Sequence, residues 1–294
     1  EGSSLEGVIL NVDFLKNCGM GKATGMGKKV IVLGGGNVAF DCARSAKRLG
    51  AEEIHVACLE AREHMTADEE EIQQAVEEGI MIHPAQTFER ITGTGHVTGV
   101  DFMNVKSFTF DENHRAVIHR EENSEHHIEA DTVIFAVGQR PDITEEAGLA
   151  LGRGNSIAVR DIETDKATSV DGIFAAGDAI YGTKSVIMAI ESGREAAAQI
   201  DQYLGGNGDI SEKLAPEQKP DAYIGICEGF GYMQRKNRCI DSPESRCNNF
   251  ELFDHGICDS DICAEAGRCL QCDLRLQISK PRVWGDYAEG KEEK

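Results

Sequence analysis

No apolar run in the chain approaches the roughly 18 residues that a membrane helix needs, so the sequence predicts no membrane span. The first ten residues, EGSSLEGVIL, lack a basic stretch and a signal-like apolar core, and a cytoplasmic location is expected. Basic residues are also scarce. Lys and Arg number 30 against 51 Asp and Glu, a net charge of −21, and an anionic surface of this kind repels nucleic acid and anionic lipid. No polyanionic partner is expected. Histidines 96, 114, 119, 126 and 127 share no metal-ligand spacing, which speaks against a metal site there. Cysteine pairs at redox spacing are missing before residue 227. The sequence opens on Glu1 rather than Met, so a fragment or processed chain is expected.

A length of 294 residues is enough for about two domains with a proper core. The most informative segment is 28–50, KKVIVLGGGNVAFDCARSAKRLG. Val30, Ile31, Val32 and Leu33 form the apolar run of a strand buried on both faces, and Val38, Cys42, Ala46 and Leu49 follow at helical spacing. Between them lies a turn of Gly34, Gly35 and Gly36, followed by Asn37, Val38 and Ala39. It matches the G-x-G-x-x-A fingerprint in which the first glycine makes the tight turn, the next lets backbone approach a pyrophosphate, and the small third residue packs helix on strand. The helix start then offers N–H groups to phosphate. Together these predict a Rossmann-type dinucleotide site.

A second strand is expected over 53–59, EIHVACL, with Glu60 directly after it. A carboxylate there accepts hydrogen bonds from ribose hydroxyls and repels a 2′-phosphate, which favours NAD; Arg62, two residues on, could pair that phosphate and keeps NADP open. Residues 66–79 read as a helix with an acidic, solvated face, and 81–131 as a β-meander of short pieces. Segment 131–137, DTVIFAV, is then a buried strand returning to the first sheet and ending in Gly138 and Gln139. Cys42 and Cys58 read as small buried hydrophobes.

The stretch 172–200, GIFAAGDAIYGTKSVIMAIESGREAAAQI, again runs from a strand, here 173–175, into a helix. Asp178, after Gly177, stands where a carboxylate can accept from a polyol such as ribityl. The helix beginning near Ser185 and Val186, with Val186, Ala189, Ile190 and Ala197 inward, can stabilise negative charge on a reduced flavin ring.

Three motifs in this order, VIVLGGGNVAFDCARSAKRLGA, VIFAVGQRPD and GIFAAGDA, resemble the FAD/NAD(P)-dependent oxidoreductases related to the glutamate synthase small subunit, within the pyridine nucleotide-disulfide oxidoreductase superfamily. The resemblance covers about residues 1–204. It implies an α/β fold in which a nicotinamide-binding domain, 28–137, is inserted into an FAD-binding domain, represented here by 1–27 and 138–205. It also implies that FAD is held by an earlier glycine fingerprint together with Gly177 and Asp178. That earlier fingerprint is not in the sequence, so half of the FAD domain is expected to be missing, whether truncated or supplied in trans. The family's NADPH-using members tend to carry paired arginines after the second strand, where this chain has Leu59 and Glu60.

Seven of the 10 cysteines fall in the last quarter, within a tail expected over 206–294 after a Gly, Asp and Pro-rich linker. Cys258, Cys263, Cys269 and Cys272 are soft ligands close enough in sequence for an iron–sulfur or zinc site. The segment EAGRCLQC resembles the start of cluster-binding modules in the same extended family, where more cysteines follow; here none does, and further ligands would come from upstream or from a partner. The resulting expectation is an oxidoreductase or electron-transfer flavoprotein subunit that takes hydride from NAD(P)H to FAD. Electrons then pass through a [4Fe–4S] centre or directly to a protein acceptor or catalytic subunit. Two alternatives stay open: a non-catalytic nicotinamide-binding module with a zinc-stapled assembly tail, and the reductase subunit of a glutamate synthase-like amidotransferase.

Overall fold

The computed structural model describes residues 1–22, 26–111, 116–143, 148–211, 228–270 and 272. The chain divides into two compact units: Glu1–Ser211 with Pro243–Phe250, and Glu212–Ser242 with Glu251–Lys294.

The first unit opens with β1 (Val8–Leu10) and α1 (Asn11–Gly19), then β2 (Lys29–Leu33), α2 (Asn37–Arg48) and β3 (Glu53–Ala57). After α3 (Glu69–Glu77) come β4 (Met81–His83), β5 (Gln86–Thr94), β6 (His96–Phe110), β7 (Ala116–Arg120), β8 (His126–Glu129) and β9 (Thr132–Phe135). A five-stranded parallel sheet has the order β1-β9-β2-β3-β4, while β5, β6, β7 and β8 pair antiparallel around the long β6. Side chains alternate across a strand, and β2 uses both faces. Val30 and Val32 pack with Phe14 of α1, Phe40 and Ala43 of α2 and Ile72 of α3, whereas Ile31 and Leu33 pack with Ile91, Val97, Val100 and Phe102 of the antiparallel sheet. The result is three layers, helices, parallel sheet and antiparallel sheet, with β2 apolar from Val30 to Leu33 because it lies in the middle.

One strand differs from the sequence reading. Residues 81–83 were expected in the meander, yet they form β4, parallel to β3, because α3 carries the chain across before it re-enters the same sheet.

Beyond residue 137 the first unit continues with β10 (Val159–Asp161) and β11 (Asp165–Thr168), an antiparallel pair, then α4 (Asp178–Tyr181) and α5 (Val186–Tyr203). The strand expected at 173–175 is reduced to a single bridge between Ala167 and Phe174. The helix predicted near Ser185 is present, but its buried face is Ser192 and Ala196. Val186 and Ile190, read from the sequence as inward, are 76% and 58% exposed, and Ala197 is exposed too. The physical reason is that α5 packs on β11, and only the side carrying Ser192, Ala196 and Gln199 meets it: Gln199 accepts from the Lys166 N–H at 2.6 Å.

A segment read from the sequence as tail belongs to the first unit. Here α6 (Pro243–Arg246) delivers Arg246 to α3, where its Nε donates to Glu78 Oε1 at 2.8 Å and its Nη2 to Glu77 Oε2 at 2.8 Å. Glu78 is fully buried and also accepts from Arg44 at 2.9 Å and Arg48 at 3.0 Å. Burial raises the Glu78 carboxyl, but hydrogen bonds from these guanidiniums outweigh it and hold the group below the usual glutamate range.

In the second unit, Ile240 and Asp254 form an antiparallel bridge and α7 (Asp259–Gly267) follows Cys258. Glu265 of α7 accepts from the Lys236 N–H at 2.9 Å. Among the described residues, no helix is long and apolar enough to cross a membrane.

Candidate functional site

The glycine turn leaves the carboxyl end of β2 at the middle of the parallel sheet, the edge where open α/β sheets bind ligands. Gly34 has φ +140°, and its N–H donates to the Ala57 carbonyl at 2.8 Å; a Cβ there would run into the Ala136 carbonyl oxygen. Only glycine lets β2, β3 and β9 converge at this point. A Cβ on Gly35 would lie 2.8 Å from Cys58 Cβ, 3.0 Å from Cys58 Sγ and 3.1 Å from Glu60 Oε2. Gly36 is different. It is the N-cap of α2 at φ −92°, with no side chain capping the helix, and a Cβ there would meet nothing nearer than Thr66 Oγ1 at 3.5 Å. The helix start is therefore open, with N–H groups and the positive end of the helix dipole aimed outward, the chemistry that holds a pyrophosphate. Ala39 is fully buried against the sheet, as the fingerprint requires.

The loop after β3 closes one side of this turn. Ala67 N–H donates to the Gly35 carbonyl at 3.2 Å, and Asn37 Oδ1 accepts from the Asp68 N–H at 2.8 Å. Asn37 is thus a splint between helix start and loop. Glu60 is half-buried, its carbonyl fixed by the Ala85 N–H at 2.7 Å, and its carboxylate stands beside Gly35. Arg62 turns away to Glu69, at 2.6 Å. Burial pushes the Cys42 and Cys58 thiols up to about 12, with the charge of Glu60 adding to the effect at Cys58, so both are inert small residues.

The later motifs meet in the same unit. Gln139, Arg140 and Pro141 line a cleft of about 220 Å³ together with Asp178, Ala179, Gly182 and Thr183. A neighbouring cavity of about 490 Å³ shares Gln139, Arg140, Pro141 and Gly182 and adds Arg153 and Tyr181. Gly138 precedes them at φ +104°, with open space around it. Gly177, at φ +65°, donates its N–H to Ser192 Oγ at 3.1 Å, and this aims Asp178 at the cleft from the start of α4. Ser185 caps α5 by accepting from the Met188 N–H at 3.3 Å, while Val186 stands out in the open beside it. Two segments that the sequence reading treated separately, 138–141 and 177–183, therefore line one recess. Arg140 and Gly182 were not singled out; the charge and the glycine were visible, but their meeting depends on long-range packing.

The tail cysteines do not come together in the same way. Cys258, Cys263, Cys269 and Cys272 are all exposed and none of them forms a disulfide, and among the described residues no group of three or more His, Cys, Asp or Glu is arranged to hold a metal ion. Cys258 instead lies next to Cys239, which the sequence reading left unassigned; the two sulfurs are 2.8 Å apart.

Comparison with known proteins agrees with this geometry. A model of the pyridine nucleotide-disulphide oxidoreductase family matches residues 1–193. The chain is 31% identical to the NADP(+)-dependent formate dehydrogenase subunit beta of Moorella thermoacetica, over 92% of this chain and 40% of that one. It is 30% identical to the NADPH-Fe(3+) oxidoreductase subunit beta of Geobacter sulfurreducens, over 89% and 44%, and 32% identical to the glutamate synthase [NADPH] small chain of Azospirillum brasilense, over 74% and 48%. It thus spans somewhat under half the length of these relatives. Among solved structures it is similar to FprA from Mycobacterium tuberculosis, at TM-score 0.56 and 14% identity over 69% of this chain and 60% of that one. T. acidophilum thioredoxin reductase matches at 0.50 and 21%, over 70% and 62%. These two likenesses speak for the fold alone. Strand order, glycine turn and family match together give one conclusion: the chain belongs to the pyridine nucleotide-disulphide oxidoreductase family.

Proposed function

We propose that the chain is the nicotinamide-binding part of an electron-transfer flavoprotein subunit, selective for NADH. The observation that carries this reading is the uncapped start of α2 behind the glycine turn, at the carboxyl edge of a parallel sheet. The pyrophosphate would be held by the backbone of residues 34–39, and Glu60 would accept from the adenine ribose hydroxyls while repelling a 2′-phosphate. The engagement of Arg62 with Glu69 supports that selectivity, because its guanidinium is already paired. The three relatives are named for NADP(+) or NADPH, so the preference rests on Glu60 and not on likeness.

Gly177 and Asp178, with Gln139 across the cleft, would hold part of a flavin: the carboxylate accepts from a polyol, and the start of α5 favours negative charge nearby. When both groups are bound, the nicotinamide supplies hydride and the flavin accepts it. The residues of this chain would position the two groups; no acid, base or nucleophile among them is required. A protein acceptor would take up the electrons. As placed, the four tail thiolates do not make up the ligand set of a cluster, and no step is routed through one. Cys269 and Cys272 would need two further thiolates.

The Glu60→Arg variant tests the reading. In titrations with both reduced dinucleotides, the ratio of NADPH to NADH affinity should rise by about tenfold or more. An unchanged ratio would remove Glu60 from the site.

A further inference from the structure

In the second unit two thiols are brought together by the backbone alone. Cys239 and Cys258 are 19 residues apart in sequence, and their Sγ atoms stand 2.8 Å apart. Asp241 N–H donates to the Phe253 carbonyl at 2.9 Å and His255 N–H to the Cys239 carbonyl at 2.8 Å, on either side of the Ile240 and Asp254 bridge. Cys239 N–H also donates to the Gly256 carbonyl at 2.7 Å, so one residue faces two. That is a β-bulge, with Gly256 in the left-handed region at φ +72°. The bulge turns the chain back, so that Cys258, extended at the N-cap of α7, returns to Cys239. Both thiols are exposed. Two donors fall short of the four that a cluster or structural zinc takes.

We infer that Cys239 and Cys258 are a reversible dithiol–disulfide pair, a modification site for low-molecular-weight disulfides of the glutathione class. One thiol of the pair loses its proton and attacks a sulfur of the small disulfide. A mixed disulfide forms, and the released thiolate takes up a proton. The second thiol, likewise deprotonated, attacks the protein sulfur of the mixed disulfide, forms the bond between Cys239 and Cys258 and expels the second small thiol. Two protein thiols are oxidised and one small disulfide is reduced to two thiols, so the electrons balance. The reverse exchange opens the pair.

The bond closes a ring over residues 239–258, and inside that ring lies Pro243–Phe250, the segment that carries Arg246 to Glu78. Oxidation therefore ties together the two ends of the segment that docks on α3.

The test uses the full chain, incubated with glutathione disulfide, alkylated and cut with trypsin. Cleavage after Arg238, Arg246 and Arg268 separates residues 239–246 from 247–268. The expected product is these two peptides joined, separated by dithiothreitol, absent in Cys258→Ser and retained in Cys247→Ser and Cys263→Ser. The Cys239→Ser variant should instead trap a stable glutathione adduct on Cys258, a readout that does not depend on a missing product. Alkylation of both cysteines after oxidation, or persistence of the joined peptides in Cys258→Ser, would overturn the assignment. So would an iron-containing chain, purified without oxygen, in which Cys258 resists both reagents.

Discussion

Glycines 34, 35 and 36 look equivalent in the sequence but have three different tasks. Gly34 is required by its φ of +140° and by the Ala136 carbonyl, Gly35 by the Cys58 and Glu60 side chains beside it, whereas no neighbour within the fold requires Gly36, which the proposal leaves small for an approaching pyrophosphate. Gly34→Ala should therefore destabilise the first unit by about 1–3 kcal/mol, read as a lower denaturant midpoint, before any ligand is added. The glycine spacing was legible because its constraint is local: strand, turn and helix follow within 20 residues. The place of Glu60 was legible for the same reason, although β3 ends at Ala57, three residues before it and two short of the expected strand; its role in binding belongs to the proposal. The Asn37 and Asp68 contact and the meeting of Gln139 with Asp178 were not, because each joins residues far apart in sequence through packing that periodicity does not encode.

Between elements, the least legible feature is the arginine clasp. Arg44, Arg48 and Arg246 reach Glu78 from α2 and α6, and nothing in the composition of the stretch read as tail predicts that α6 returns to the first unit. Removing the one anion shared by three cations leaves buried guanidiniums facing one another. Glu78→Ala should lower stability by about 3–5 kcal/mol, and Arg246→Ala by less, since Arg44 and Arg48 still neutralise Glu78. Acid should act in the same direction. The Glu78 carboxyl titrates lower in the folded chain than in the unfolded one, so its contribution is full above the ordinary glutamate range and is lost as pH falls through the folded value. His83 adds to this loss, because burial and the neighbouring His55 and His126 hold its imidazole below the usual range and protonation favours the unfolded chain. The thermal midpoint should decline from pH 7 downward, with a first step near the ordinary histidine range that His83→Gln removes. A midpoint flat between pH 7 and pH 5 would contradict the His83 assignment, and one that stays flat below the ordinary glutamate range would contradict that of Glu78. The start of α5 was misread because amphipathic spacing locates an apolar stripe but not what covers it; here β11 meets only the Ser192 and Ala196 side.

On the scale of the whole molecule, three layers close around β2, where the proposal seats the nicotinamide dinucleotide, while among the described residues the proposed flavin contacts come from one cleft, α4 and α5. Flavin should accordingly bind weakly to this chain alone and be lost on desalting, whereas reduced nicotinamide should be retained; tight, stoichiometric flavin in the purified chain would mean that the cleft needs no complement. The central claim is that backbone N–H groups at the start of α2 hold the dinucleotide, and Gly36→Asp tests it most directly. Asp is a favoured N-cap and fits the extended backbone at φ −92°, so the fold is kept while its carboxylate occupies those N–H groups. In a fluorescence titration the account predicts an unchanged or slightly higher thermal midpoint and a loss of NADH affinity of about tenfold or more. NADH bound as tightly by Gly36→Asp as by the unaltered chain would contradict it.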